Sequence, residues 1–305
     1  MTAITAGMVK DLRDRTGAGM MDCKDALQQN NGDVEAAVDW LRKKGLAKAA
    51  KKAGRVAAEG LIGVEARGDA GAMVEINSET DFVARNDQLK EFVRRAAKAA
   101  LAVEGDVDQL MQHPHDGELT VQDTINDMVA KIGENMSIRR AVALGVSPGV
   151  VASYIHNAVA PDLGKIGVLV ALESEADPAK LAPLGKQIAM HVAAASPLAL
   201  TVDALSPDVV ARERAIFADQ ARQSGKPENV IEKMIEGRLR KFYEESVLLS
   251  QIFVIDGETP VAKVLENASK EFGHKVAIAG FERFAVGEGV EKPATDFAAE
   301  VKGMI

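Results

Sequence analysis

An apolar pattern that occurs twice in the chain, 95 residues apart, constrains the fold most. Residues 61–64 and 73–76 predict a β-hairpin, and a helix with one apolar stripe follows at residues 89–101. The second copy has the same order, with strands predicted at 150–155 and 166–172 and a helix at 181–192. A shift of 95 positions places Met73 on Val168, Leu89 on Leu184, Val93 on Ile188 and Ala97 on Val192. We therefore predict an α+β protein with a duplicated α/β core of antiparallel strands and packed helices.

Helical segments flank and interrupt this core. Residues 1–43 predict three short helices separated by glycines, and residues 206–246 predict two charged helices joined at SGKP as an antiparallel hairpin. A further helix is predicted around Ile125 and Ile132, between the two halves. The predicted domains are a three-helix module at 1–43, a basic linker helix at 44–59, a core N-subdomain at 60–140, a core C-subdomain at 141–286 that contains the hairpin, and a C-terminal module at 287–305 with a short helix.

Composition narrows the functional classes. The chain has 305 residues, of which 47% are hydrophobic, so it can fill a sizeable core. Its 45 acidic and 37 basic residues give a net charge of −8, which argues against nucleic acid as the main ligand. Cys23 is the one cysteine, which excludes an internal disulfide and fits a reducing cytoplasm. No stretch approaches the roughly 20 apolar residues of a membrane span, so we expect no membrane partner.

Motifs for catalysis and cofactor binding are missing from the sequence. It contains no glycine-rich phosphate loop and no G-x-S-x-G serine, and Cys23 lies within a helical pattern. His113 and His115 form HPH in a loop, without the spacing of a helical metal pair. A metal-assisted enzyme built on these two histidines stays an alternative, but we predict no metal, no cofactor and no covalent chemistry.

Surface segments suggest binding instead. Residues 42–55 carry seven basic and no acidic residues, with Lys48, Lys51, Lys52 and Arg55 on one helical face. We interpret this face as a solvated linker, because no aromatic residues interleave the charges to stack bases; nucleic-acid binding through it is the alternative. Met20 and Met21 lie beside a glycine turn of a very small module, where both cannot easily point inward.

The segment SETDFVARND, residues 78–87, is the sharpest feature. A strand ends here, and Thr80 or Asp81 is placed to cap the amide groups of the following turn. Phe82 then has two interpretations. It fills the local core, which is the commoner role of such a residue, or it projects and enters a pocket of another protein.

Six motifs together resemble the elongation factor Ts family, and they span nearly the whole chain. In order, they are VKDLRDRTGAGMMDCKDAL, INSETDFVARND, KIGENMSIRR, IAMHVAA, QSGKPENVIEKMIEGRLRKF and ATDFAAEV. The resemblance implies a translation elongation factor that binds elongation factor Tu with GDP. It would accelerate GDP release by disturbing the magnesium and phosphate site, and GTP would then rebind. The resemblance also implies a ubiquitin-associated-like module at residues 1–43 and a coiled coil at 206–246.

The resemblance assigns roles to particular residues. It implies that the TDFV motif acts on the magnesium site of elongation factor Tu, with Phe82 as a wedge between helices. The residues of this motif are Thr80, Asp81, Phe82 and Val83. Secondary contacts with the partner are implied for His156, Leu12, Met20 and Met21. Two departures from the family pattern are Arg85, where lysine is common, and a longer segment after His156.

Other interpretations of the sequence stay open. In one, the first 43 residues recognise ubiquitin-like or nascent-chain ligands, and the chain is an adaptor without any effect on a GTPase. A homodimer through the helical hairpin or the core is also open, because a hairpin can close on its own chain or pair with another copy.

Overall fold

The computed structural model describes residues 4–117, 119–223 and 227–291. Its helices, in chain order, are α1 Ala6–Thr16, α2 Met20–Gln29, α3 Val34–Lys52, α4 Asp81–Ala84, α5 Asp87–Ala102, α6 Val107–Gln112, α7 Val121–Ile132, α8 Pro178–Ala195, α9 Pro207–Arg222, α10 Glu228–Ser246 and α11 Val261–Phe272. Its strands are β1 Glu59–Arg67, β2 Ala70–Ser78, β3 Pro114–Asp116, β4 Leu119–Thr120, β5 Met136–Gly145, β6 Gly149–His156, β7 Leu163–Gly164, β8 Ile166–Glu173 and β9 Ala277–Ala285. Mixed helices and antiparallel sheets confirm the α+β class.

Two antiparallel sheets form the core, and each is covered by a helix. The first has the order β5-β2-β1-β7, and its Val74 and Ile76 pack against Leu89 and Val93 of α5. The second has the order β6-β8-β9 and packs in the same way against α8. Each sheet therefore contains a hairpin and a further strand paired with the second hairpin strand, and the first sheet also has the short strand β7 beside β1. The predicted strands and helices of both copies are confirmed.

The sheets pack against each other through their remaining faces. Ile62 and Met73 of the first sheet contact Val151 and Leu169 of the second within one buried cluster. Gly167 permits the close approach, since a Cβ there would lie 2.5 Å from Cγ2 of Ile62. The result is a four-layer arrangement of helix, sheet, sheet and helix, which is why strands buried on both faces read as continuous apolar runs.

The predicted pairing of Met73 with Val168 is wrong by one residue. Met73 faces the second sheet, whereas Val168 faces α8. Successive strand residues point to opposite faces, so a slip of one position exchanges them. Leu169 is the residue that shares the environment of Met73. The helix pairs, such as Leu89 with Leu184, do have matching positions against their sheets.

Three predicted segment boundaries fall inside regular elements, and the one between residues 59 and 60 lies one residue inside β1. The third predicted helix and the linker helix form one continuous element, because α3 runs from Val34 to Lys52. Gly45 lies within it, where a Cβ would approach the Cβ of Ala130 on α7 to 3.3 Å. Strand β5 likewise crosses residues 140 and 141, which keeps the whole of it in the first sheet.

The segment at 206–246 forms two packed helices. Phe217 and Ala221 of α9 meet Ile231, Ile235 and Leu239 of α10 in one apolar seam. The predicted C-terminal helix in PATDFAAEVKGMI lies outside the described residues. Within the described part of the chain, none of the helices has the length and apolar character needed to cross a membrane.

A buried carboxylate joins the first sheet to the end of β9. Glu75 is fully buried and accepts hydrogen bonds from Arg139 at 3.1 Å, Arg140 at 2.6 Å and the backbone N–H of Gly287 at 2.8 Å. Each arginine is about one-third exposed, so the carboxylate alone is removed from water. Charge-assisted bonds of this kind compensate the cost of burying the charge.

A buried histidine fixes the chain after α10. Nδ1 of His191 lies 3.2 Å from the backbone N–H of Val254, which donates to it, and Nε2 lies 2.9 Å from Oε1 of Gln251. This arrangement suits the neutral ring with its proton on Nε2. Burial lowers the pKa of His191, and the bond to Gln251 partly opposes that effect.

Candidate functional site

The TDFV segment follows β2 and forms most of the one-turn helix α4, with Thr80 at the N-cap; we call this the TDFV turn. The backbone N–H of Thr80 donates to Oε2 of Glu134 at 3.0 Å, and its hydroxyl donates to Oε1 of the same carboxylate at 2.7 Å. The expected capping role of Thr80 is therefore wrong: Thr80 occupies the N-cap position, but its side chain bonds Glu134. Asp81, the first residue of α4, is half-buried and accepts a hydrogen bond from Arg85 at 3.3 Å.

Phe82 projects from this turn into solvent. Its exposed fraction is 77%, the largest among the exposed large hydrophobic side chains of the described residues. The next residue, Val83, is only 6% exposed and packs in the core of the first sheet, together with Ala84. The interpretation of Phe82 as a core residue is therefore wrong, because Val83 and Ala84 occupy the core.

Residues 133–135 support the TDFV turn through hydrogen bonds. Besides the contact of Glu134 with Thr80, the backbone N–H of Asn135 donates to Oε1 of Glu79. The side chain of buried Asn135 donates to the carbonyl of Arg55 at 2.7 Å. The sequence analysis did not predict these contacts, although the motif KIGENMSIRR contains Glu134 and Asn135.

His156 lies at the end of β6 and is exposed. The hydroxyl of Tyr154 is 3.1 Å from its Nδ1, which orients the ring. The backbone carbonyl of His156 accepts a hydrogen bond from the N–H of Lys165 at 3.2 Å. His156 is thus available on the surface, as a contact residue must be.

A chain of contacts places His156 and the TDFV turn at the same end of the paired sheets. Ser78, at the end of β2, is paired with Glu59. Nζ of Lys165 lies 3.5 Å from the carboxylate of Glu59 and donates to the carbonyl of Gly60 at 3.0 Å. Lys165 in turn bonds the backbone of His156. The geometry therefore places at one end of the sheets two segments that are separated by about 75 residues in the sequence.

The N-terminal module presents some of its predicted contact residues and hides another. Met20 and Met21 are 61% and 67% exposed, so both methionines are available. Leu12 is fully buried and packs with Cys23 and Leu27. The expected contact role of Leu12 is wrong for this structure, because its side chain fills the core of the module.

A family comparison agrees with these motifs. A sequence model of the family described as Elongation factor TS matches residues 79–288 of the chain. Elongation factor Ts of Rhodospirillum centenum is 59% identical over 305 residues, covering 100% of this chain and 99% of the relative. Elongation factor Ts of Parvibaculum lavamentivorans is 60% identical over 302 residues, with 99% and 98% covered. The chain belongs to the elongation factor Ts family. It is therefore a translation elongation factor of protein biosynthesis.

His113 and His115, the residues of the alternative metal site, make separate contacts within the chain. His113 contacts the carbonyl of Pro114 at 2.8 Å, and His115 packs on the ring of Phe92 at 4.8 Å. Burial, followed by nearby Arg95, lowers the pKa of His115. Within the described ranges, no group of three or more His, Cys, Asp or Glu side chains is arranged to hold a metal ion.

The basic face is partly paired with acidic groups. Lys48 contacts Asp22 at 2.9 Å, and Arg55 lies 3.5 Å from Glu79. Hydrogen bonds from Lys48 and then Lys44 lower the pKa of Asp22, so this carboxylate stays ionised. Two of the four basic residues proposed for nucleic-acid contact thus interact with carboxylates of the same chain.

Proposed function

We propose that this elongation factor Ts family member is a guanine nucleotide exchange factor that binds elongation factor Tu with GDP and accelerates GDP release. The main observation behind the proposal is that Phe82 is exposed on a turn that Glu134 holds through hydrogen bonds to Thr80. An aromatic side chain left in water on a fixed support is suited to insertion into a pocket of a partner protein. No bond is made or broken in this function, and it needs no cofactor of the factor's own.

Insertion of Phe82 supplies free energy for the disturbance of the nucleotide site. Burying a phenylalanine side chain fully is worth about 1.5–3 kcal/mol. In GTPases, Mg²⁺ bridges the phosphates and neutralises their charge. We infer that Phe82 enters between helices near this ion and that the carboxylate of Asp81 competes for the polar groups around it. The weakened site then releases GDP faster.

Exchange of this kind needs no energy input. If binding of the exchange factor lowers the affinity of elongation factor Tu for GDP, then GDP lowers its affinity for the exchange factor to the same extent. Incoming GTP can therefore displace the factor, and the nucleotide concentrations set the direction. The exchange factor changes the rate alone.

Other parts of the chain supply further contacts in this proposal. We assign secondary partner contacts to His156, Met20 and Met21, which are all exposed. The helices α1–α3 act as a ubiquitin-associated-like module that grips elongation factor Tu, and α9 with α10 act as a coiled-coil hairpin. We place the function in the cytoplasm, where translation takes place, and expect no direct nucleic-acid contact. A homodimer through the hairpin or the core is a separate question for sedimentation measurements.

Stopped-flow release of a fluorescent GDP from purified elongation factor Tu tests the proposal. The intact chain should accelerate release strongly, and Phe82→Ala should lose about tenfold or more of that acceleration. Ile255→Ala is a matched control, because Ile255 is also an exposed apolar residue. The control variant should keep the full acceleration. Unchanged GDP release with the intact chain would refute exchange and favour the adaptor hypothesis.

A further inference from the structure

We propose that Glu134 is a positioning residue for nucleotide exchange, which fixes the direction of Phe82 by holding Thr80. This inference rests on the proposed function and deepens it. Glu134 does not itself touch the nucleotide site; it acts through the turn that carries Phe82.

The contact of Glu134 with Thr80 is bidentate. Oε2 accepts the backbone N–H at 3.0 Å, and Oε1 accepts the hydroxyl at 2.7 Å. The carbonyl of Thr80 is also satisfied, because the hydroxyl of Ser78 donates to it at 2.9 Å. Every polar group of Thr80 therefore has a partner, and Thr80 is held in an extended conformation two residues before Phe82.

The turn needs such support because α4 is very short. It has four residues, and an isolated helical turn of that length has no stability of its own. Buried Val83 and Ala84 anchor the turn on its C-terminal side. Glu134 supplies the anchor on its N-terminal side. Without it, Phe82 would keep its exposure but lose its fixed direction.

Glu134 is itself presented by a rigid part of the fold. Helix α7 ends in front of it at Gly133, whose φ of 91° is the left-handed conformation that favours glycine. Asn135 behind it is buried, and Met136 pairs with Ser78 at the start of β5. The carboxylate therefore lies between an ordered helix end and a paired strand, which suits a positioning role.

The carboxylate chemistry can be tested with a neutral replacement of the same shape. A carboxylate accepts from both donors of Thr80, whereas the amide of Glu134→Gln has one accepting oxygen and would direct an N–H group at a donor. Thr80→Val removes the hydroxyl and keeps the backbone donor. Both variants loosen the turn without removing Phe82.

The test measures GDP release from elongation factor Tu with the intact chain, Glu134→Gln, Phe82→Ala and the double variant, over a range of factor concentrations. Misplacement of a group that acts at a site can cost up to about a hundredfold in rate. We expect Glu134→Gln to lower the maximal exchange rate on the order of tenfold. In the Phe82→Ala background, the same substitution should cause no further loss. Glu91→Gln is the matched control: it removes a surface carboxylate paired with Arg95 and should leave exchange unchanged.

The outcomes separate this inference from the proposed function. Full exchange activity of Glu134→Gln would overturn the inference and leave the exchange function intact. An equal loss in the Phe82→Ala background would also overturn it, because Glu134 would then act independently of Phe82. If the intact chain fails to accelerate GDP release, both fail. Urea unfolding checks that each variant is folded, and Thr80→Val gives the same test if Glu134→Gln does not fold.

Discussion

Replacement of Phe82 by alanine separates a surface role from a core role through its effect on stability. Phe82 is 77% exposed, so only about a quarter of its surface is removed from water on folding. Scaling about 1.5–3 kcal/mol for a fully buried phenylalanine gives about 0.4–0.8 kcal/mol for this position. A phenylalanine in a packed core would cost about 3–5 kcal/mol when replaced by alanine. The two roles therefore differ by several kcal/mol.

Urea unfolding monitored by circular dichroism measures this difference. Phe82→Ala should lower the free energy of unfolding by less than about 1 kcal/mol. Val83→Ala is the matched control, because Val83 is the neighbouring residue and is buried in the first sheet. It should cost about 1.5–3 kcal/mol. A loss of about 3 kcal/mol or more in Phe82→Ala would show instead that Phe82 is packed in the core.

Three other predictions concern the rest of the fold. Glu75→Gln should destabilise the chain by about 3 kcal/mol in urea unfolding, because two arginines lose their buried partner. The control Glu35→Gln, at the exposed pair with Arg15, should cost less than about 1 kcal/mol. Equal losses in the two variants would contradict the assigned role of Glu75. The lowered pKa of His191 means that the unfolded chain binds its proton first as the pH falls. The contribution of His191 to the free energy of unfolding is therefore present above about pH 6.5 and lost as the pH falls below that value. When unfolding is measured at several pH values, His191→Asn should lose less unfolding free energy at acidic pH than the intact chain. An equal loss in both proteins would contradict this prediction. Leu12→Ala should lower the free energy of unfolding by about 2–5 kcal/mol, because Leu12 is fully buried. Met21→Ala should leave stability nearly unchanged and should weaken binding to elongation factor Tu in titration calorimetry, because Met21 is exposed. The reverse pattern would contradict the assigned burial of Leu12 and exposure of Met21.

The sequence predicted the main strands and helices because their apolar periodicity is strong. It missed β5, since Arg139 and Arg140 interrupt the apolar pattern of that strand. Their charges are accommodated by Glu75, which lies on another strand and is not visible as a partner in the sequence. The predicted boundary between residues 43 and 44 likewise divided α3, which in the structure continues to Lys52 and packs closely on α7 at Gly45. In β5 and in α3, contacts with distant parts of the chain determine the structure that the local sequence pattern did not predict.

Exposure was harder to predict than secondary structure. Phe82 and Leu12 are both apolar residues in short helical segments, yet one is exposed and the other fully buried. The difference depends on which face of each helix meets the core, and segments of one to three turns carry too few residues to define a face. The hydrogen bonds between Glu134 and Thr80 join residues that are 54 positions apart, so no local sequence pattern predicts them.

If Phe82 acts on the magnesium site of elongation factor Tu, its effect on GDP release should depend on Mg²⁺. GDP release should be measured by stopped flow with the intact chain and with Phe82→Ala, first with Mg²⁺ and then with a chelator present. If Phe82 weakens the hold of Mg²⁺, the difference between the two proteins should be large with Mg²⁺ and nearly vanish without it. An equal difference under both conditions would show that Phe82 does not act through Mg²⁺.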